Sequence, residues 1–183
     1  MHATIADVIA DTTQNSIEAG AKQISLTLIE DGETIAVTIE DNGKGMDEAT
    51  VKRAFNPFFT EAGKHDKRKV GLGLPILKQI CDETDGAVEL KSELGKGTTL
   101  KYHFAAKHID LPPMGDLVEM VLMLFNYPGD FELIFTHKKG EIDYTISRSE
   151  LAEAIGGFDT PASLALAKDF LQSQESPYLI SSL

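Results

Sequence analysis

At 183 residues, with 42% hydrophobic and 25% charged side chains, the chain can build one sizeable core, or one domain plus a smaller appended unit. A formal net charge of −12 argues against a nucleic-acid or anionic-membrane surface, because phosphate binding needs clustered Lys and Arg. One cysteine, Cys81, excludes an internal disulfide framework and fits a reducing cytoplasm, and no zinc-ligand spacing joins it to the five histidines. No apolar run reaches the length of a membrane span, and residues 1–7 lack the basic and apolar regions of a signal peptide. Residues 1–109 hold 13 basic and 17 acidic side chains, residues 110–183 only 4 and 12. With Pro112-Pro113, that shift sets the expected boundary between two units, 1–109 and 110–183.

Ile5, Val8, Ile9, Thr12 and Ile17 recur at helical spacing, which predicts an amphipathic helix over 4–19. Asp11 and Asn15, four apart, share its other face. They form either a plain solvated face or a functional one, in which the Asn15 amide oxygen serves a hard cation such as Mg²⁺ and Asp11 a general base one turn away. Two alternating runs, 23–30 and 33–40, read as strands joined by the hairpin signal Asp31-Gly32. The second opens into Glu40-Asp41-Asn42-Gly43-Lys44-Gly45-Met46. Glycine lets backbone approach a ligand closely, and a carboxylate such as Asp41 only accepts hydrogen bonds, so it suits a ligand that presents a donor such as an exocyclic amine.

Asp47 is a candidate cap for a short helix through Phe55. Phe55-Asn56-Pro57-Phe58-Phe59-Thr60 is an aromatic knot, followed by a polar basic loop with Lys64, Lys67, Arg68 and Lys69. That loop leads into Val70-Gly71-Leu72-Gly73-Leu74 and a helix from Pro75 to about Glu83, whose N-terminal N–H groups are available to phosphate oxygens. Cys81, inside that helix, reads as a small buried hydrophobe. Residues 86–92 and 98–104 form another strand pair, with Thr98 at a strand start. In the tail, 117–125 predicts a strongly apolar helix, 131–136 and 142–147 a hairpin turning across His137-Lys138-Lys139-Gly140, and 149–155 and 162–172 two helices capped by Ser149 and Thr160. His137 is expected at the surface of that turn. The tail reads either as a small α+β unit packed closely on the rest, which is favoured because its apolar helix needs cover, or as an acidic docking module.

Five of these stretches, in this order, resemble the histidine-kinase-like ATPases shared by sensor histidine kinases, gyrase-type topoisomerases and MutL-type repair proteins. They are Asp11-Thr12-Thr13-Gln14-Asn15, Asp41 to Met46, Phe55 to Thr60, Gly71 to Ile76, and Gly95-Lys96-Gly97-Thr98-Thr99. The likeness covers about residues 4–105, and the phenylalanine stretch with Gly71 to Ile76 resembles the sensor-kinase branch most. The resemblance implies a two-layer α/β sandwich with a mixed sheet, extended here by a small C-terminal α+β unit, and ATP with Mg²⁺ as cofactors. It further implies that Asn15 holds the metal, Asp41 the adenine amine, and Asp11 a catalytic proton. Gly43 and Gly45 would shape the base pocket, Gly71 and Gly73 would meet the phosphates, and Thr98 would support the base. Residues 61–70, with Lys64, Lys67 and Lys69, would form a lid, and Met46, Phe58, Leu72 and Leu74 would complete the nucleotide contacts. Two departures bear on rate more than on binding: the family usually has Glu where this chain has Asp11, and many kinases have glycine in place of Lys69.

The expected function is a cytoplasmic Mg-ATP-binding regulator that phosphorylates, or changes its grip on, an unidentified protein partner. A phosphoacceptor helix ahead of the nucleotide unit is not expected, which argues against self-phosphorylation. The alternatives are a non-catalytic ATP-sensing or structural module and an ATP-gated homodimer clamp.

Overall fold

The computed structural model describes residues 4–56 and 73–176. The first helix, α1 (Ile5–Glu18), starts at a reciprocal capping box. Asp7 N donates to Thr4 Oγ1 and Thr4 N to Asp7 Oδ2, which contributes about 1 kcal/mol at a helix start. Two further N–H groups of its first turn, on Ile5 and Ala6, donate to the carbonyls of Pro113 and Met114. The start of the tail therefore stitches onto the first helix, at groups no helix can satisfy by itself.

Strands β1 (Gln23–Glu30) and β2 (Thr34–Asp41) form the predicted hairpin, with Asp31 Oδ1 accepting from Glu33 N and Thr34 N. The predicted cap Asp47 opens α2 (Glu48–Arg53). Next come α3 (Gly73–Glu83), β3 (Ala87–Glu93) and β4 (Gly97–Ala105). The tail adds α4 (Leu117–Phe125), β5 (Glu132–Lys139), β6 (Ile142–Ser147), α5 (Arg148–Ile155) and α6 (Pro161–Gln174).

The six strands of the described residues form one mixed sheet in the order β3-β4-β2-β1-β5-β6. The pairing of β1 with β5 is parallel and the rest are antiparallel. Side chains alternate across the sheet, and one face carries Ile24, Leu26, Leu28, Ile35, Val37, Ile39, Leu100, Tyr102, Phe104, Leu133 and Phe135, all buried. The helices cover that face, giving the two-layer sandwich. Seven of the nine α4 residues are buried, in contact with α1 and α6. Arg148 ties the tail together: its guanidinium donates to the carbonyls of Phe125 and Phe131 and lies 4.4 Å from the Phe131 ring centre.

Two expectations for the tail are corrected. β5 runs on through His137 to Lys139 and turns only at Gly140-Glu141, so His137 stands opposite Tyr144 in the ladder. His137 is 1% exposed, because its core-facing register puts it under the helices. The α5 cap is Ser147, whose hydroxyl accepts from Glu150 N, two residues before the serine expected there.

Candidate functional site

At the end of β2, where the strand leaves the sheet, Asp41 faces Ile24 on one side and Thr98 on the other. Both Asp41 carboxylate oxygens accept: Oδ2 from Ser16 Oγ at 2.6 Å and Oδ1 from Gly43 N at 2.8 Å. Its neighbour Asn42 turns the other way, accepting from Lys22 N and Gln23 N through Oδ1 and so pinning the entry to β1. The loop then folds onto the β3–β4 turn. Gly45 has φ +65°, and a Cβ there would lie 2.0 Å from Glu93 O. Gly97 has φ +116°, with a Cβ position 1.9 Å from Asp41 O. Neither position has room for any side chain. Gly43, also crowded, would push a Cβ to 3.0 Å from Asp41 Oδ1.

Ser92 joins these parts. Its Oγ accepts from Met46 N at 2.8 Å, donates to Gly97 O at 2.9 Å, and shares a 2.8 Å bond with Thr98 Oγ1. Neither Ser16 nor Ser92 stood out in the sequence, since an isolated serine in a helix or strand carries no pattern. The sole available signal was position: Ser16 follows Asn15, and Ser92 stands opposite Thr98 in the ladder.

A second part of the site lies along α1. Asn15 is exposed and Asp11 half-buried, one turn apart. α3 starts against them, for a Cβ on Gly73 would lie 2.6 Å from Asp11 Oδ2 and 4.0 Å from Asn15 Nδ2. Asp11 and Asn15 are thus brought together with sequence-distant Gly73, and Ser16 links this group to Asp41. Leu74 packs against the core. Phe58, Lys64, Lys67, Lys69, Gly71 and Leu72 lie outside the described residues.

The donor set fits a magnesium nucleotide. Asn15 and Asp11 offer hard oxygens beside a helix start, and Asp41 offers acceptors in a cradle lined by side-chain-free backbone. Among the described residues no group of three or more His, Cys, Asp or Glu could hold a metal unaided. Asn15 would hold a Mg²⁺ ion here, and the ion would neutralise phosphate charge. Nor, among those residues, is any helix long and apolar enough to cross a membrane. Cys81 is fully buried in α3, where burial pushes its thiol up to about 12 and leaves it unreactive.

This arrangement of a half-sheet, an acidic strand end and an Asn-bearing helix agrees with the sequence profile of the histidine kinase-, DNA gyrase B- and HSP90-like ATPases, which matches residues 2–108. The chain belongs to that family. A putative sensor protein of Shewanella frigidimarina (strain NCIMB 400) is 35% identical over 106 residues, which are 56% of this chain and 16% of that protein. The sensor histidine kinase YxdK of Bacillus subtilis (strain 168) is 27% identical over 103 residues, 54% of this chain and 32% of its own length. The chain therefore spans a minor part of both relatives. The crystal structure of the N-terminal domain of a DNA repair protein shares the fold over 88% of this chain and 58% of that one, at a TM-score of 0.55 and 14% identity.

Proposed function

We propose that this chain is a cytoplasmic regulator that binds Mg-ATP between α1, the β2 end and the start of α3, and uses it to phosphorylate, or alter its hold on, a protein partner. In this reading residues 1–109 are the nucleotide-binding unit and residues 110–183 an extension that completes the sheet. The observation that carries it is Asp41, held through both oxygens at the rim of a glycine-lined cradle and bonded to Ser16, the residue after Asn15 on α1. Asp41 would accept from the adenine amine, Thr98 would stand beside it, and Asn15 would give its amide oxygen to the metal. Gly71 and Gly73, with lid cations Lys64, Lys67 and Lys69, would meet the phosphates, and Met46, Phe58, Leu72 and Leu74 would border the base. In phosphoryl transfer the protein mainly positions and neutralises, so such a site needs little else. Asp11 would take the proton of the attacking hydroxyl as the γ-phosphoryl group passes to it and ADP departs. A buried free thiol and a need for ATP suit a cytoplasmic protein.

Titrating the protein with ATP and Mg²⁺ by calorimetry tests this. Asp41→Asn is expected to weaken ATP binding by about 10- to 100-fold, the worth of one hydrogen bond to a charged group. Asn15→Ala should remove the dependence of affinity on Mg²⁺. Unchanged affinity in both variants would refute the site. Asp11, one methylene shorter than the usual Glu, favours a second reading in which ATP is sensed without turnover. Phosphate release no faster than that of Asp11→Ala, with no label passed from ATP to any protein, would select it.

A further inference from the structure

We infer that Ser16 and Ser92 are positioning residues that set which purine the site accepts, by turning Asp41 and Thr98 into a pair of hydrogen-bond acceptors that suits a 6-amino group and rejects a 6-oxo group. This rests on the reading of Asp41 as the base contact. Neither serine belongs to the proposed nucleotide contacts. Ser16, Asp41, Thr98 and Ser92 reach across one end of the molecule, from α1 through β2 and β4 to β3, on the helix-covered face of the sheet.

The two halves work by the same logic. Ser16 is 5% exposed, and its hydroxyl donates to Asp41 Oδ2 while Gly43 N donates to Oδ1. With one donor on each oxygen, the carboxylate cannot rotate without losing both bonds. Its remaining capacity is lone pairs alone. At the other half, Met46 N is backbone and can only donate to Ser92 Oγ, and Gly97 O is backbone and can only accept from it. The single Ser92 proton is then committed, so the 2.8 Å bond to Thr98 runs from the Thr98 hydroxyl to Ser92. Thr98 is left with lone pairs facing elsewhere.

A 6-amino group brings two N–H donors to these acceptors. A 6-oxo group brings only lone pairs, and a buried acceptor facing an acceptor is what a binding site rejects most strongly. Without the Ser16 hydroxyl the Asp41 carboxylate is held by Gly43 N alone and its Oδ2 can turn away from the base. Without the Ser92 hydroxyl Thr98 can swing its proton outward and serve a 6-oxo group.

The test compares Mg-bound ATP, inosine triphosphate and purine riboside triphosphate, which differ at position 6 and, for inosine triphosphate, by a hydrogen on N1, by calorimetry on the whole chain. In the unaltered protein inosine triphosphate should bind more weakly than the purine riboside, which has nothing at position 6. Equal or tighter binding would overturn the inference without any mutation. Ser16→Ala and Ser92→Ala should each cut the preference for ATP over inosine triphosphate by about tenfold, and Ser16→Thr, which keeps a hydroxyl, should retain it. Loss of affinity for both nucleotides in proportion, at constant preference, would reduce the serines to structural groups and overturn the inference. Asp41→Asn separates the two levels. If it leaves ATP affinity intact, the pocket reading itself falls. If it removes ATP affinity while the serine variants keep the original preference, only the assignment of the serines falls.

Discussion

Replacing His137 with alanine should lower folding stability by about 3–5 kcal/mol, as expected when one partner of a buried ion pair is removed. The imidazole is nearly inaccessible and bridges two carboxylates, with Nε2 at 3.0 Å from Glu30 Oε1 and Nδ1 at 2.9 Å from Glu175 Oε1. Tyr144 donates its hydroxyl to the same Glu175 oxygen, and Lys139 Nζ lies 2.9 Å from Glu30 Oε2. Alanine would leave Glu30 and Glu175 without the cation between them. Burial alone would push the His137 imidazole down, but the carboxylates of Glu175 and Glu30 outweigh it and raise the group from 6.5 to about 9. Because the folded value is raised, the stabilisation is complete below about pH 6.5 and is lost as pH climbs through about 9. Glu30 has the opposite sign. Burial would raise it, yet hydrogen bonds from His137 and Lys139 hold it below 4.5, so its contribution is present above pH 4.5 and fades on acidification. Urea denaturation at a series of pH values should show the gap between the native protein and His137→Ala closing between pH 6.5 and 9. A gap that stays constant over that range would contradict a charged imidazole.

Gly97→Ala should cost roughly 3 kcal/mol or more, the sum of an overpacked contact and a backbone conformation L-residues avoid. The new methyl would need space already filled by Asp41 O and Asn42 Cα. The collision falls on the β2–β4 ladder at the residue proposed to hold the base, so nucleotide affinity should fall along with the melting temperature. Gly95→Ala is the matched control. It too has positive φ, +79°, but nothing lies within 4 Å of its Cβ position. It should cost about 1–2 kcal/mol from conformation alone and leave affinity unchanged. Equal melting temperatures for the two variants would show that the close approach of backbone at Gly97 does not matter.

The elements up to Ala105 were legible because each carries its own period and punctuation. Asp47 is a cap, Asp31-Gly32 is a turn, and Ile24, Leu26 and Leu28 alternate with polar residues. The pairing of β2 with β4, which puts Asp41 beside Thr98, came only with the structure. The hydroxyls that hold the site were illegible, since Ser16 meets Asp41 across 25 residues of chain and Ser92 meets Met46 across 46. His137 was misread for a related reason. Lys138, Lys139 and Gly140 look like a turn, and only the partner carboxylates, from 107 residues before and 38 after, make a buried charge tolerable there. Nothing local to β5 announces that it lies parallel to β1.

That parallel seam has a consequence for how the molecule is made. Gln23 sits opposite Glu132, so β1 leaves the ribosome long before its second neighbour exists. At usual synthesis rates of about 5–20 residues per second, its outer edge waits on the order of 5–20 seconds. During that interval a row of unpaired amides and carbonyls stands open to any strand that drifts by. A shortened protein ending at residue 109 would never close that edge. It should bind to itself and precipitate at concentrations at which the full chain stays dispersed.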